Sequence, residues 1–277
     1  MKVTGLTIYP VKSTAARDVT RAVVMPWGLQ GDRRWAVVDD KGEVITARTE
    51  RRLLSITVEL EPDGSLVCTG PHAAPLRVPE PRDGQHVVLD IWKQLVTVTD
   101  AGPEAASWLG DLLGRSVRLV WLDDPTRRSV DPQYGRPTDR VSLADAYPLL
   151  LTTEESLRQL NTWIAETAQA EGDSEPVQPL PMRRFRPNVV VGGATPFIED
   201  HWKLIRIGEV TFRVTKGCDR CVMTTIDPLT LAKGKEPLRT LAKHRQWDGK
   251  VWFGINLIPD GSGTLHLDDP VEVLATV

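Results

Sequence analysis

Four residues in the C-terminal half, Cys218-Asp219-Arg220-Cys221, give the chain its clearest chemical signal. Two cysteines at this spacing can form half of a zinc site, act as a redox dithiol, or supply a thiolate to a softer metal. Structural zinc needs four ligands, and the sequence has no second cysteine pair or spaced histidine pair. Zinc is therefore disfavoured. A purely structural role, with two reduced cysteines in a core strand, stays open beside the redox dithiol and the thiolate ligand.

The residues that follow the cysteine pair argue against a thioredoxin-like dithiol. Such a dithiol lowers its thiol pKa through the N-terminus of a following helix. Residues 222–226 are mostly β-branched and run into Asp227-Pro228, so strand and turn are predicted there instead. Arg220 could lower the pKa of the neighbouring Cys221, which would suit a metal-binding thiolate.

Basic and polar residues at predicted turns form a second set of candidates. Arginine matches phosphate with a planar fork and lysine supplies a point charge, so their convergence would bind a small anion. A phosphate loop of the Gly-x-x-x-x-Gly-Lys-Ser/Thr type is absent from the sequence, so a nucleotide is not indicated. The set comprises Lys12-Ser13, Gly31-Asp32-Arg33-Arg34-Trp35 and Arg183-Arg184-Phe185-Arg186-Pro187-Asn188.

The elements that must position these residues are mainly short strands. Alternating segments and turns predict strands over 3–9, 34–38, 43–47, 54–60, 65–69 and 116–122, with two more over 86–99. One helix is predicted from Pro103 to Gly114. A second follows a capping box of Thr152 and Glu155 and ends in a loop over 171–176, and a third begins near Pro237.

Later strands are predicted over 188–191, 204–207, 210–215, 251–258 and 271–274. The fold class expected is mainly β with a few helices, α+β, arranged as two β-barrel-like domains over residues 1–122 and 123–277. Cys68 lies in a predicted strand as a small buried hydrophobe.

Composition limits the partners. The chain has 277 residues, a formal net charge of -3 and 26% charged residues, so no nucleic acid or membrane surface is expected to bind it. No secretory signal or membrane span is recognisable, and the odd count of three cysteines fits a reducing compartment. A cytoplasmic location is predicted.

An ordered series of motifs resembles the MOSC family whose members carry a MOSC N-terminal β-barrel, which includes the mitochondrial amidoxime reducing component and bacterial hydroxylaminopurine-resistance proteins. The resemblance covers nearly the whole chain. The motifs are Tyr9-Pro10-Val11-Lys12-Ser13, Gly31-Asp32-Arg33-Arg34-Trp35, Thr46-Ala47-Arg48, Phe185-Arg186-Pro187-Asn188, Glu199-Asp200 with Trp202, Cys218-Asp219-Arg220-Cys221, Asp227-Pro228, Glu236-Pro237-Leu238 and Phe253-Gly254.

The resemblance implies a pyranopterin molybdenum cofactor (molybdenum-molybdopterin), with Cys221 as the metal ligand. It implies that Asp219 and Arg220 line the metal site and that Asp219 is a candidate proton donor. The other implied cofactor contacts are Lys12, Ser13, Arg33, Ala146, Tyr147, Arg186, Asn188 and Asn256.

Several positions depart from the family pattern. Thr14 stands where Cys is usual, Asp219 stands where the amidoxime reducers carry Ser, and Asn256 stands where they carry Tyr. Ala146 and Tyr147 replace hydroxyl-bearing residues. All but Thr14 belong to the implied pocket, so they predict a change in substrate range rather than loss of the cofactor.

The function implied is reduction of small N-hydroxylated compounds, such as amidoximes, hydroxylamines and N-hydroxylated bases, by two-electron oxygen removal. The alternative is a non-catalytic molybdopterin carrier, or a sulfur carrier with a persulfide on Cys218 or Cys221. Too few cysteines remain for an iron-sulfur cluster, and no Gly-x-Gly-x-x-Gly fingerprint follows a strand. A separate electron-donor protein, a reductase with a small redox carrier, is therefore expected.

Overall fold

The computed structural model describes residues 1–172 and 178–277, so most of the predicted loop over 171–176 lies outside the described residues. The described chain is mainly β, as predicted. Its strands are β1 Lys2–Ile8, β2 Arg17–Val19, β3 Arg21–Met25, β4 Gly28–Leu29, β5 Trp35–Val38, β6 Val44–Ile45, β7 Thr57–Leu60, β8 Leu66–Thr69, β9 Leu76–Val78, β10 His86–Ile91, β11 Gln94–Asp100, β12 Arg118–Trp121, β13 Leu149–Thr153, β14 Val189–Gly192, β15 Trp202–Ile207, β16 Val210–Asp219, β17 Gln246–Trp247, β18 Lys250–Pro259, β19 Gly263–His266 and β20 Val271–Thr276.

The helices are α1 Pro103–Leu113, α2 Glu154–Glu171 and α3 Leu238–His244. Short 3-10 helices add single turns at Arg51–Ser55, Pro125–Arg127, Met182–Arg184, Ile198–His201 and Val222–Thr225. No helix in the described part of the chain is both long and apolar enough to cross a membrane.

The chain forms two compact units that are discontinuous in sequence. Unit 1 contains residues 1–7, 19–25 and 149–277, and unit 2 contains residues 8–18 and 26–148. The predicted boundary between residues 122 and 123 falls inside the long segment of unit 2. The division into two sequence domains at that point stays a prediction.

Unit 1 is built on a sheet in the order β1-β14-β13-β18-β16-β15-β20. Only β13 and β14 run parallel within this order, and β16 and β18 share the longest ladder, from Phe212 opposite Pro259 to Asp219 opposite Trp252. Helices α2 and α3 pack on an apolar cluster of Leu160, Ile164, Phe185, Leu241 and Phe253. The extended β16 therefore carries Cys218 and Asp219 to the end of a paired strand.

Unit 2 contains a sheet in the order β10-β11-β12-β5-β6 and a smaller one in the order β7-β8-β9. The hairpin over 35–45 and the pair β10–β11 match the predicted strands. Helix α1 begins at Pro103 and ends at Gly114 in the left-handed conformation, as predicted, and Arg52 Nη2 donates 2.6 Å to the carbonyl of Leu113 at its last turn. Cys68 is buried in β8, also as predicted.

Three local predictions were wrong. Residues 222–225 form a 3-10 turn rather than a strand, because the hydroxyls of Thr224 and Thr225 bond back to the carbonyls of Cys221 and Val222. The cap of α2 is Thr153, which accepts from the backbone of Ser156, one residue beyond the predicted capping box. Residues 54 and 55 belong to a 3-10 turn before β7 rather than to a strand.

Candidate functional site

Cys221 lies at the junction between a long strand and a short helical turn. Strand β16 ends at Asp219, and Cys221 caps the turn Val222–Thr225 with an extended backbone. The amide of Thr224 donates 3.1 Å to the Cys221 carbonyl, and the Thr224 hydroxyl donates to the same oxygen at 3.0 Å. The backbone of Cys221 is thus fixed by hydrogen bonds while its side chain is only half-buried, an arrangement that suits a ligand or nucleophile.

Arg220 bridges the cysteine pair to the segment that carries Arg186. Its Nη1 donates to Cys218 Sγ at 2.9 Å, and its Nη2 donates to the Phe185 carbonyl at 2.6 Å. The guanidinium also lies over the Phe185 ring, 5.5 Å from its centroid. Arg220 was expected to act on Cys221, but the sulfur to which its guanidinium donates is that of Cys218.

Asp219 and Asn256 lie on the two strands of the β16–β18 ladder. The Asp219 carboxylate is partly exposed, 3.5 Å from Lys250 Nζ and 4.0 Å from Lys216 Nζ. The Asn256 side chain donates 3.2 Å to the Gly217 carbonyl, just before the cysteine pair. Asp219 thus lies at the end of this ladder with Arg220 and Cys221 directly after it, whereas Asn256 lies further along, opposite Lys216. That these residues share one cofactor site stays a prediction.

Arg186 and Asn188 flank Pro187. Arg186 has an unusual backbone conformation, and Asn188 has a buried, hydrogen-bonded side chain. Arg186 adopts a left-handed backbone, φ 56°, which a non-glycine residue takes only at a cost. Asn188 is buried, and its amide donates 3.2 Å to the Thr7 carbonyl and accepts 3.2 Å from the Leu150 amide. These bonds make Asn188 a link between strands of unit 1, and its contact with a cofactor stays a prediction.

Unit 2 holds a basic cluster around Lys12. This lysine is 6% exposed and donates 2.8 Å to the Leu143 carbonyl and 2.5 Å to Asp145 Oδ1. Arg48 pairs with the other oxygen of Asp145, and Arg128 Nη2 donates 2.8 Å to the Asp145 carbonyl. Lys12 and Arg48 thus share one carboxylate, and Arg128 adds a third cation on the backbone carbonyl beside it, which leaves an excess of positive charge.

Burial and charge pairing shift the pKa values of Lys12 and Asp145 in opposite directions. Burial lowers the pKa of Lys12 to about 8, although Asp145 works in the other direction. Burial would raise the pKa of Asp145, but Lys12 and Arg48 hold it well below its usual range. A lysine that is buried to this degree favours the approach of a further anion, because that anion would stabilise its charged form.

Asp145, Arg48 and Arg128 were not among the predicted site residues. Arg48 belongs to the Thr46-Ala47-Arg48 motif, which was the one sequence signal available for it. Asp145 stands directly before the predicted Ala146, but a single acidic residue in an irregular segment predicts no partner. Its role follows from tertiary contacts alone.

The remaining predicted residues of unit 2 have varied surroundings. Arg33 has φ 48° and donates 2.6 Å to Asp32, with its guanidinium 4.4 Å from the Tyr9 ring centroid. Burial alone would lower the pKa of Arg33, but Asp32 raises it. Ser13 is buried with φ 71°. Ala146 is exposed, whereas Tyr147 is buried and packs edge-on against Tyr134 at 6.2 Å.

Known proteins resemble this chain along nearly its full length. Mitochondrial amidoxime-reducing component 1 of Mus musculus is 32% identical over 291 residues, which cover 98% of this chain and 82% of that protein. The Homo sapiens protein of the same name is 31% identical with the same coverage. A MOSC domain model matches residues 138–272, and a model of the MOSC N-terminal beta barrel domain matches residues 1–116. The chain belongs to the MOSC family.

A protein with a different name also resembles this chain. Molybdenum cofactor sulfurase of Oryza sativa subsp. japonica is 31% identical over 265 residues, covering 91% of this chain but 32% of that protein. The family resemblance predicted from the motifs is confirmed.

Proposed function

We propose that this MOSC protein binds a pyranopterin molybdenum cofactor through the thiolate of Cys221 and reduces small N-hydroxylated compounds. The observation that carries the proposal is Cys221 itself, a half-buried thiol on a backbone fixed by two hydrogen bonds to its carbonyl. Thiolate is the protein ligand that a soft, redox-active metal prefers. Similarity to amidoxime-reducing components over almost the whole chain supports the same function.

The donor groups near Cys221 fit such a cofactor. Arg220 Nε is buried and has no hydrogen-bond partner within the described chain, so this arginine retains a donor for an anionic or carbonyl group. Arg186 follows Phe185, whose carbonyl accepts from Arg220, and its backbone is in the left-handed conformation. Non-glycine residues that keep such strain concentrate at ligand sites, because the surrounding structure holds them in place for binding.

Lys12 of unit 2 provides the clearest phosphate ligand among the predicted residues. Its ammonium is buried among carbonyl and carboxylate oxygens, with Arg48 and Arg128 adding positive charge. Ser13 and Arg33, which like Arg186 have positive φ, would supply further cofactor contacts, as their motifs imply.

When bound, the molybdenum cofactor would supply the two-electron chemistry of oxygen removal from nitrogen. The protein residues would orient the substrate and control protons around it. Asp219 lies at the end of β16 with its carboxylate 3.5 Å from the Lys250 ammonium, and it is the candidate group for proton exchange with the substrate.

A second candidate function is sulfur or cofactor transfer without reduction. The contact between Arg220 and Cys218 Sγ supports it, because a guanidinium at 2.9 Å stabilises a sulfur anion such as a thiolate or persulfide. The similarity to molybdenum cofactor sulfurase points the same way. In that case Cys218 rather than Cys221 would be the reactive sulfur.

The test is to purify the full chain aerobically and measure molybdenum, pterin and turnover of benzamidoxime with a chemically reduced dye. Reductase function predicts bound molybdenum and benzamidine formation, both lost in Cys221→Ser and largely kept in Cys218→Ser. Molybdopterin or transferable sulfur without turnover, with dependence on Cys218, would favour the carrier. Absence of molybdenum, pterin and transferable sulfur from protein made in cofactor-producing cells would contradict both functions.

A further inference from the structure

Two arginines join the segment that carries Arg186 to the segment that carries Cys221, and each segment contributes one of them. Arg220 reaches from the cysteine segment to the Phe185 carbonyl at 2.6 Å. Arg184 reaches in the other direction, with Nη2 2.9 Å from Asp227 Oδ2 and Nη1 3.5 Å from the Thr224 carbonyl. We call these two reciprocal contacts the arginine clasp.

The Asp227 end of the clasp is rigid. One carboxylate oxygen, Oδ1, accepts from the amides of Leu229 and Thr230 at 2.8 and 3.0 Å, which leaves Oδ2 for Arg184. The Thr230 amide, together with Leu229 and Arg184, lowers the pKa of Asp227, while its partial burial opposes this. The carboxylate is thus ionised at neutral pH and bonded on both oxygens.

The Arg184 end is rigid as well. Its side chain is 11% exposed, and its neighbour Phe185 is fully buried with its ring stacked on Phe253 at 4.0 Å. On the other segment, the Thr224 backbone that accepts from Arg184 is bonded to the carbonyl of Cys221. The path from Arg184 to the Cys221 backbone therefore contains two hydrogen bonds and a single turn of 3-10 helix.

We propose that Arg184 is a positioning residue that sets the location of the Cys221 thiol relative to the Arg186 segment. It touches neither reacting group, and acts through Asp227 and Thr224. A metal ligand and a cofactor-binding arginine on separate segments must keep a fixed spacing, and the clasp supplies that constraint. The inference rests on the proposed function only in treating Cys221 as the metal ligand, since the position of Cys221 can be measured without a cofactor.

The test measures the alkylation rate of Cys221 by iodoacetamide in the full chain, produced without cofactor and carrying Cys218→Ala. Cys68 is buried and serves as an unreactive internal reference. Arg184→Gln is expected to speed alkylation roughly tenfold, because removing one partner of a largely buried ion pair promotes local opening. Arg184→Lys should fall between, since lysine can keep the bond to Asp227 but cannot also reach the Thr224 carbonyl.

Arg245→Gln is the matched control. Arg245 and Asp200 form an ion pair in the same unit, with side chains 11% and 23% exposed against 11% and 29% for Arg184 and Asp227. Its removal should destabilise the fold similarly, yet change Cys221 alkylation less than about twofold because the two pairs share no partner. Should Arg184→Gln fail to fold, Asp227→Asn breaks the same pair from the other side.

In molybdenum-loaded protein, Arg184→Gln should alter the EPR spectrum of the metal and lower kcat more than it raises KM, while pterin content is kept. Equal alkylation in wild type and Arg184→Gln, or an equal increase in Arg245→Gln, would overturn the inference. Lack of molybdenum in the wild-type protein would count against the proposed function alone, and the alkylation series would still decide the role of Arg184.

Discussion

Replacing Glu199 by glutamine should change how the stability of the protein depends on pH. Glu199 is completely buried in the 3-10 turn after β14, where Ser156 Oγ donates 2.7 Å to Oε1 and Thr153 Oγ1 lies 3.3 Å from Oε2. Burial raises its pKa from 4.5 to about 7, and the hydroxyl of Ser156 only partly opposes this. The carboxyl group is therefore about half protonated at neutral pH, whereas an ordinary glutamate is ionised there.

The direction in which stability changes with pH depends on whether the folded or the unfolded protein binds the proton more tightly. The folded protein keeps a proton on Glu199 between pH 4.5 and about 7, whereas the unfolded chain releases it. Stability therefore falls as pH rises through this window and is level above it. The difference in pKa corresponds to about 3.5 kcal/mol as an upper figure, because each pKa unit is about 1.4 kcal/mol.

Glutamine keeps the acceptor for Ser156 and removes the titration. Urea unfolding of Glu199→Gln between pH 4.5 and 8.5 should give little change at the acid end and a gain of about 2 to 3 kcal/mol at pH 8. Glu209→Gln, at an exposed position, is the control and should show no such difference. Parallel stability profiles for wild type and Glu199→Gln would refute the reasoning.

Three further predictions concern the proposed site. Arg186→Gly should reduce cofactor content through loss of a charge-assisted contact of about 1.5 to 3 kcal/mol, without lowering the unfolding midpoint of cofactor-free protein, because glycine accepts φ 56° without strain. A lower midpoint with full cofactor content would contradict this. Cofactor affinity should fall as pH rises from 7 to 9, since Lys12 loses its proton near pH 8, and Lys12→Met should flatten that dependence when retention is followed by pterin fluorescence. An equal slope in both proteins would exclude Lys12 from the phosphate contact. The purified, loaded chain should be inactive with NADH or NADPH alone and active with a reduced dye, so robust NADH-dependent turnover would disprove the need for a separate donor.

Elements with strong local signals were predictable from the sequence. Helix α1 has proline at its start and glycine at its end, and the hairpin of β5 and β6 has a glycine-containing turn, so each ending is encoded in the residues that form it. Cys68 was predicted correctly because a free cysteine in a predicted strand usually behaves as a small buried hydrophobe. The family resemblance depended on the order of many such short segments.

Other features depend on contacts between distant parts of the chain. The turn after Cys221 forms because threonine hydroxyls bond to backbone carbonyls and Arg184 bonds to Asp227, and neither effect is visible in β propensity. The cap of α2 shifts to Thr153, where the buried Glu199 and Ser156 complete the polar network. The pairing of Lys12 with Asp145 joins residues 133 positions apart, so the sequence could predict the lysine but not its partner.

The central claim is that Cys221 is the protein ligand to molybdenum. X-ray absorption at the molybdenum edge, recorded on wild type, Cys218→Ser and Cys221→Ser, tests it most directly, because the sulfur ligands are counted independently of activity. The account predicts near-stoichiometric molybdenum in wild type, an unchanged sulfur count in Cys218→Ser, and loss of one sulfur ligand or of the metal itself in Cys221→Ser. An unchanged sulfur count in Cys221→Ser, or loss of a sulfur ligand in Cys218→Ser alone, would contradict it.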